Sequence, residues 1–168
     1  MRKLKILLLV ALVVSLGSIV GCSKSNNNSS NNSNADTVYY SGWVTLATTY
    51  VAADSGYEMN IAAPKITQAI LDQGVILSYV NISGTVLTAQ DFGFYPDYTV
   101  GNINVFSAQG DATGSGIQFR YVIIPGKVAI TAFPGMPKDA ISKMSFTDVT
   151  KVLSAAAAKQ SGSSQFNP

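Results

Sequence analysis

Cys22 is the only cysteine in the 168 residues, and the residues before it give its thiol a chemistry. Ile19-Val20-Gly21-Cys22 closes a leader in which Arg2, Lys3 and Lys5 precede an apolar stretch from Ile6 to Val20, interrupted only by Ser15, Gly17 and Ser18. That stretch is too short for an ordinary spanning helix, which needs roughly 20 predominantly apolar residues. It reads as a signal segment removed on processing. The small Gly21 lets a peptidase approach the backbone, after which diacylglycerol on the thiol and an acyl group on the new amine would make Cys22 the attachment point to a bilayer. Each buried methylene contributes about 0.8 kcal/mol and stable anchoring takes more than one chain, a condition that two or three chains on Cys22 satisfy.

The remaining chemistry is narrowed by what the chain lacks. There is no histidine, which removes a Ser-His-Asp triad, histidine metal sites and imidazole acid-base catalysis. With Cys22 acylated there is no thiol for a disulfide, a cysteine-rich metal site or a nucleophile. No serine stands three residues before a lysine, so the S-x-x-K arrangement is missing. Asp91-Phe92-Gly93 copies a kinase triplet without the Gly-rich and catalytic loops that give it meaning. Gly110, Gly114 and Gly116 precede an expected strand rather than a phosphate-binding helix N-terminus and suggest a hairpin loop. Asp111, Thr113 and Ser115 have calcium-loop spacing, but the bidentate glutamate position is Val122. No metal site and no cofactor are expected. Two carboxylates across a glycosidic bond are the one hydrolytic route left, with Asp54, Glu58, Asp91 and Asp97 as candidates.

Side chains suited to binding are more plentiful. Asp91-Phe92-Gly93-Phe94-Tyr95-Pro96-Asp97-Tyr98 interleaves aromatic and acidic residues in an expected loop. Aromatic faces beside carboxylate acceptors suit a sugar or a peptide, and the same rings could equally fold over a sheet end and bury themselves. Arg120, the only arginine outside the leader, lies in an apolar strand. It reads either as a paired charge lining the sheet or as a bidentate anchor for a carboxylate ligand. Trp43, Asp91, Tyr95, Asp97, Tyr98 and Arg120 are therefore the candidate ligand-binding residues. Asp36-Thr37-Val38 resembles the Asp-Ser/Thr-apolar O-glycosylation site of Bacteroidetes, which makes Thr37 a candidate for modification.

These residues need a scaffold. Ser23 to Asn34, SKSNNNSSNNSN, has nothing apolar to bury and reads as a flexible tether. At about 5 to 6 Å times √n it would hold a domain roughly 20 Å from the bilayer. Beyond it, Tyr57, Met59 and Ile61 alternate with Glu58 and Asn60, the pattern of a half-buried strand. Val75–Ile82 and Ile117–Ile124 stay apolar on both faces in places and suggest central strands; Ile103, Val105 and Phe106 mark another, and Trp43–Leu46 and Val128–Thr131 shorter ones. Pro64 and Gly74 bracket a short helix over Lys65–Gln73. Ser145 and Asp148 start a second one, whose Val149, Val152, Leu153 and Ala156 recur at helical spacing to about Lys159. The expected organisation is a signal peptide at 1–21, a lipidated tether at 22–36, an antiparallel β-sandwich with one short internal and one C-terminal helix at 37–159, and a loose tail at 160–168.

Charge excludes one partner class. Eleven basic residues face nine acidic ones, but three basic residues are in the leader, so the mature balance is 8 minus 9, or −1. No strong single-sign field remains to attract an anionic partner, whether nucleic acid or an anionic surface. The lipobox, Ala63-Pro64-Lys65-Ile66-Thr67 leading into a helix, the Gly74-Val75 strand with Tyr79, the strand from Phe119 to Gly126 and the final helix together resemble a group of small Bacteroidetes envelope lipoproteins. The resemblance implies an address in a Gram-negative envelope and carries over no catalytic residue. The resulting expectation is a non-enzymatic binding or structural module anchored to the outer membrane through Cys22, facing the periplasm, with a glycan or an envelope protein as partner.

Overall fold

The computed structural model describes residues 37–162. The signal segment, Cys22, the tether and residues 163–168 lie outside them. Nine strands and four helices follow in order: β1 (Tyr39–Tyr40), β2 (Val44–Thr45), β3 (Thr49–Val51), β4 (Gly56–Ala63), α1 (Gln68–Gln73), β5 (Val75–Ile82), β6 (Thr85–Thr88), β7 (Phe94–Thr99), β8 (Gly101–Ser107), β9 (Gln118–Ile124), α2 (Gly126–Ala132), α3 (Lys138–Ser142) and α4 (Phe146–Gly162). The molecule is mainly β and forms two antiparallel sheets. Sheet one has the order β1-β9-β5-β6 with β2 also on β9, and sheet two the order β3-β4-β8-β7.

Two cores explain the two strand patterns. Between the sheets, Val80, Phe119 and Ile123 of sheet one meet Ile61, Phe94 and Val105 of sheet two, all buried. The other face of sheet one packs Leu77, Val122 and Ile124 against Ala129, Ile141 and Leu153 of the helices. Sheet one is thus covered on both sides, so β5 and β9 are apolar in both parities. Sheet two is covered on one side and alternates. The order of layers is sheet two, sheet one, then α2 to α4, while α1 packs Ile70 and Leu71 against the inter-sheet core.

Helix ends follow local chemistry. Ser145 Oγ accepts from the Asp148 N–H at 3.1 Å and donates to the Asp148 carboxylate at 2.7 Å, a reciprocal cap for α4. From there Val149 and Leu153 reach the core. The helix continues beyond the expected Lys159 to Gly162 and takes the first three residues of the expected loose tail, as four consecutive alanines carry it forward. α1 starts later than expected. Thr67 is extended and caps it, leaving Lys65 and Ile66 in the preceding turn with Ile66 buried.

Three further expectations are corrected. Val128–Thr131 is helical, within α2: Pro125 sets the N-terminal φ at −58°, and burial of Ala129 and Phe133, four apart, outweighs the β preference of valine and isoleucine. Phe94 to Tyr98 is not loop but edge strand β7, preceded by a single 3-10 turn at Gln90–Phe92. Pro96, lacking an N–H, is tolerated at that edge. The glycine-rich run 110–116 is not a hairpin, since β8 and β9 belong to different sheets. This crossover is held by Thr48, whose Oγ1 donates to Asp111 at 3.1 Å and accepts from Ala112 N–H at 2.8 Å. The Thr113 N–H and the hydroxyls beside it hold the Asp111 carboxyl below its ordinary range.

Candidate functional site

The period of two in a strand sorts the side chains of sheet two. Met59, Ile61, Phe94, Tyr98, Ile103 and Val105 point into the inter-sheet core, so their alternates point to solvent. The register aligns those alternates in rows. Glu58 faces Phe106, which faces Tyr95; Asn60 faces Asn104, which faces Asp97; Ala62 faces Asn102, which faces Thr99. The outer face of sheet two is therefore an open platform of three amides, two carboxylates and two aromatic rings.

Hydrogen bonds fix the centre of this platform. Asn102 Nδ2 donates to Asn60 Oδ1 at 2.9 Å, and Asn104 Nδ2 donates to Glu58 Oε2 at 2.7 Å. Asn104 Oδ1 is shielded from solvent and accepts no hydrogen bond. The Phe106 ring lies across the backbone of Gly56, where a methyl group would collide with it. Glycine at 56 is thus what lets the ring lie down on the sheet. Tyr95 stands up from the opposite edge, 50% exposed, with Asp97 exposed beside it. A sheet face with a projecting aromatic ring and neighbouring amide and carboxylate groups can stack on the apolar face of a sugar and bond its hydroxyls.

The candidate residues separate into three places. Tyr95 and Asp97 share the platform. Tyr98, on the same strand, is turned the other way: its hydroxyl pairs with Ser78 Oγ at 2.8 Å, and burial pushes its pKa up to about 12. Asp91 is exposed in the 3-10 turn, its N–H donating to Thr88 Oγ1 at 3.2 Å, and Asp54 lies in the turn between β3 and β4. Of the four acids considered for hydrolysis, the platform gathers only Glu58 and Asp97. Phe106, Asn60, Asn102 and Asn104 were not among the candidates, although the alternation Asn102-Ile103-Asn104-Val105 already marks them as one solvent face.

Trp43 and Arg120 lie on the helical side of sheet one. The Arg120 guanidinium carbon is 4.7 Å from the centroid of the Trp43 ring and 5.6 Å from that of Phe146 at the start of α4. Its Nε is buried without a hydrogen-bond partner. Aromatic faces hold the Arg120 guanidinium here, as suits a weakly hydrated planar cation. Tyr79, its cross-strand neighbour, packs edge-on against Phe146 and donates to the Met144 carbonyl at 3.2 Å.

Thr37 is exposed on the rim of a cleft of about 540 Å³, which Lys65, Ile70, Ile123 and Lys127 also line. Cys22 lies outside the described residues, and among those residues no helix is long and apolar enough to cross a membrane. Comparison of the chain with known proteins finds no matching family model, no matching curated protein and no matching solved structure.

Proposed function

We propose that this chain is a non-catalytic, glycan-binding lipoprotein of the bacterial envelope, anchored to the outer membrane through acyl chains on Cys22 and holding its ligand on the outer face of sheet two. The leader and lipobox support the anchor. One observation carries the binding site: Tyr95, half exposed on an edge strand, projects beside Asp97 and a row of amides on a face that no other element among the described residues covers. A ring buried to support the fold would instead resemble Tyr98. The face is an exposed sheet surface, so it suits an extended polysaccharide more than a small enclosed ligand.

The test is a glycan array followed by titration calorimetry with wild type and Tyr95→Ala. The wild type is expected to bind at least one polysaccharide class. Tyr95→Ala should weaken that binding at least tenfold while melting close to wild type. A wild type that binds no glycan, or a Tyr95→Ala variant that binds equally well, refutes the reading.

A further inference from the structure

The formal charge is unevenly distributed along the chain. Residues 37–125 carry Lys65 and Arg120 against Asp54, Glu58, Asp72, Asp91, Asp97 and Asp111, a balance of 2 minus 6, or −4. Residues 126–162, which form the helical layer, carry Lys127, Lys138, Lys143, Lys151 and Lys159 against Asp139 and Asp148, a balance of 5 minus 2, or +3. All five lysines are exposed. The near-neutral mature chain therefore conceals an uneven charge distribution, with a basic excess on α2 to α4; Asp72, in α1, adjoins that layer, its carbonyl accepting from Lys138 Nζ at 2.7 Å.

Apolar surface accompanies that basic excess. Ala129 and Phe133 turn one face of α2 to the core, while Ile130 stands to the side of that face, 76% exposed, and Met136 in the following turn is 42% exposed. A groove of about 590 Å³ runs beside them, lined by Lys127, Ile130, Met136 and Lys138. It shares Gln73, Gly126 and Lys127 with the cleft on whose rim Thr37 lies. A single exposed isoleucine is ordinary. Here it coincides with the cationic layer and with the point where the described chain begins.

The position of Thr37 narrows the choice of occupant. Only the fourteen residues Ser23 to Asp36 separate it from Cys22. Fully extended they could span at most about 50 Å. A domain held so close to a bilayer samples it constantly, and exposed lysines beside an inserting apolar side chain are the chemistry of a surface that rests on anionic lipid.

We infer that the helical layer is a docking surface for anionic phospholipid headgroups. Lys127 and Lys138 meet the phosphates and Ile130 enters the headgroup boundary. This rests on the reading of Cys22 as the lipid anchor. The consequence is an orientation: because sheet one separates the helices from sheet two, the platform around Tyr95 faces away from the membrane, towards whatever it binds.

The experiment uses the full acylated chain in phosphatidylcholine vesicles with and without phosphatidylglycerol. An environment-sensitive dye is placed at Ile130→Cys or, on the far face, at Thr99→Cys, with a nitroxide-bearing lipid as quencher. With phosphatidylglycerol present, the dye at 130 is expected to shift to the blue and be quenched several-fold more than the dye at 99. The difference should collapse in about 0.5 M salt, where screening is nearly complete over a few ångströms, and in a Lys127→Glu/Lys138→Glu variant with an unchanged melt. Equal quenching at the two positions, or quenching at 130 that ignores phosphatidylglycerol, overturns the docking while leaving the anchor standing. Failure of the chain to sediment with either vesicle removes the anchor and the docking together. Glycan affinity is measured separately, so its loss is not mistaken for either result.

Discussion

Tyr95 and Tyr98 are three residues apart on one strand and have opposite fates. One stands half exposed in solvent and the other turns inward to share a part-buried hydrogen bond with Ser78. Tyr98→Phe should therefore cost about 1 kcal/mol at neutral pH, chiefly because the Ser78 hydroxyl is left unpaired. Tyr98 also sets an alkaline limit. Its folded pKa is pushed up to about 12 against an ordinary value of 10.0, so the unfolded chain releases this proton first. The contribution is complete below about pH 10 and is lost as pH rises towards about 12. Urea titrations across that interval should show wild type losing more stability than Tyr98→Phe. Parallel losses would mean that this hydroxyl titrates alike in both states. At the other end of the chain, metabolic labelling with an alkyne fatty acid should mark wild type and leave Cys22→Ser unlabelled. Equal labelling would rule out Cys22 as the lipid attachment point.

Among the elements, α4 and β7 show how local pattern and tertiary context divide the work. The stripe Val149, Val152, Leu153, Ala156 identifies α4 because its period is helical and Ser145 with Asp148 supplies a start signal. Leu153 is 7% exposed against sheet one, and Leu153→Ala should cost about 2 to 5 kcal/mol, visible as a lower denaturation midpoint. An unchanged midpoint would detach α4 from the core. For β7 the sequence pointed the other way. Pro96 and the clustered acids suggest a loop, and only pairing with β8 at a sheet edge makes the segment a strand. α2 likewise contains a valine and an isoleucine that suggest a strand until Ala129 and Phe133 find sheet one. Gly56→Ala tests the platform at this level. The added methyl must displace the Phe106 ring, so glycan affinity should fall more than stability does, with a normal affinity showing that the ring is not part of the contact.

For the whole molecule, the tether is expected to contribute nothing to folding, since Ser23 to Asn34 has no apolar side chain to bury. A protein beginning at Asp36 should melt within about 2 °C of one beginning at Ser23, a shift worth only a fraction of a kcal/mol for a domain of this size. A large drop would show that the segment packs on the sandwich. The sequence alone determined the fold class, the central position of β5 and β9 and the capped C-terminal helix, because each follows from short-range periodicity and from side chains a few residues apart. It also excluded histidine and thiol chemistry from residues 37–162 by composition. The tertiary structure decided which candidates meet. Strand register set Glu58, Asn104 and Asp97, up to 46 residues apart in the chain, on one face, and carried Trp43 and Arg120 to the opposite side of the sandwich. It also gathered five lysines into one layer. Pairing between distant strands and the choice of which face is covered are long-range events that no local pattern encodes.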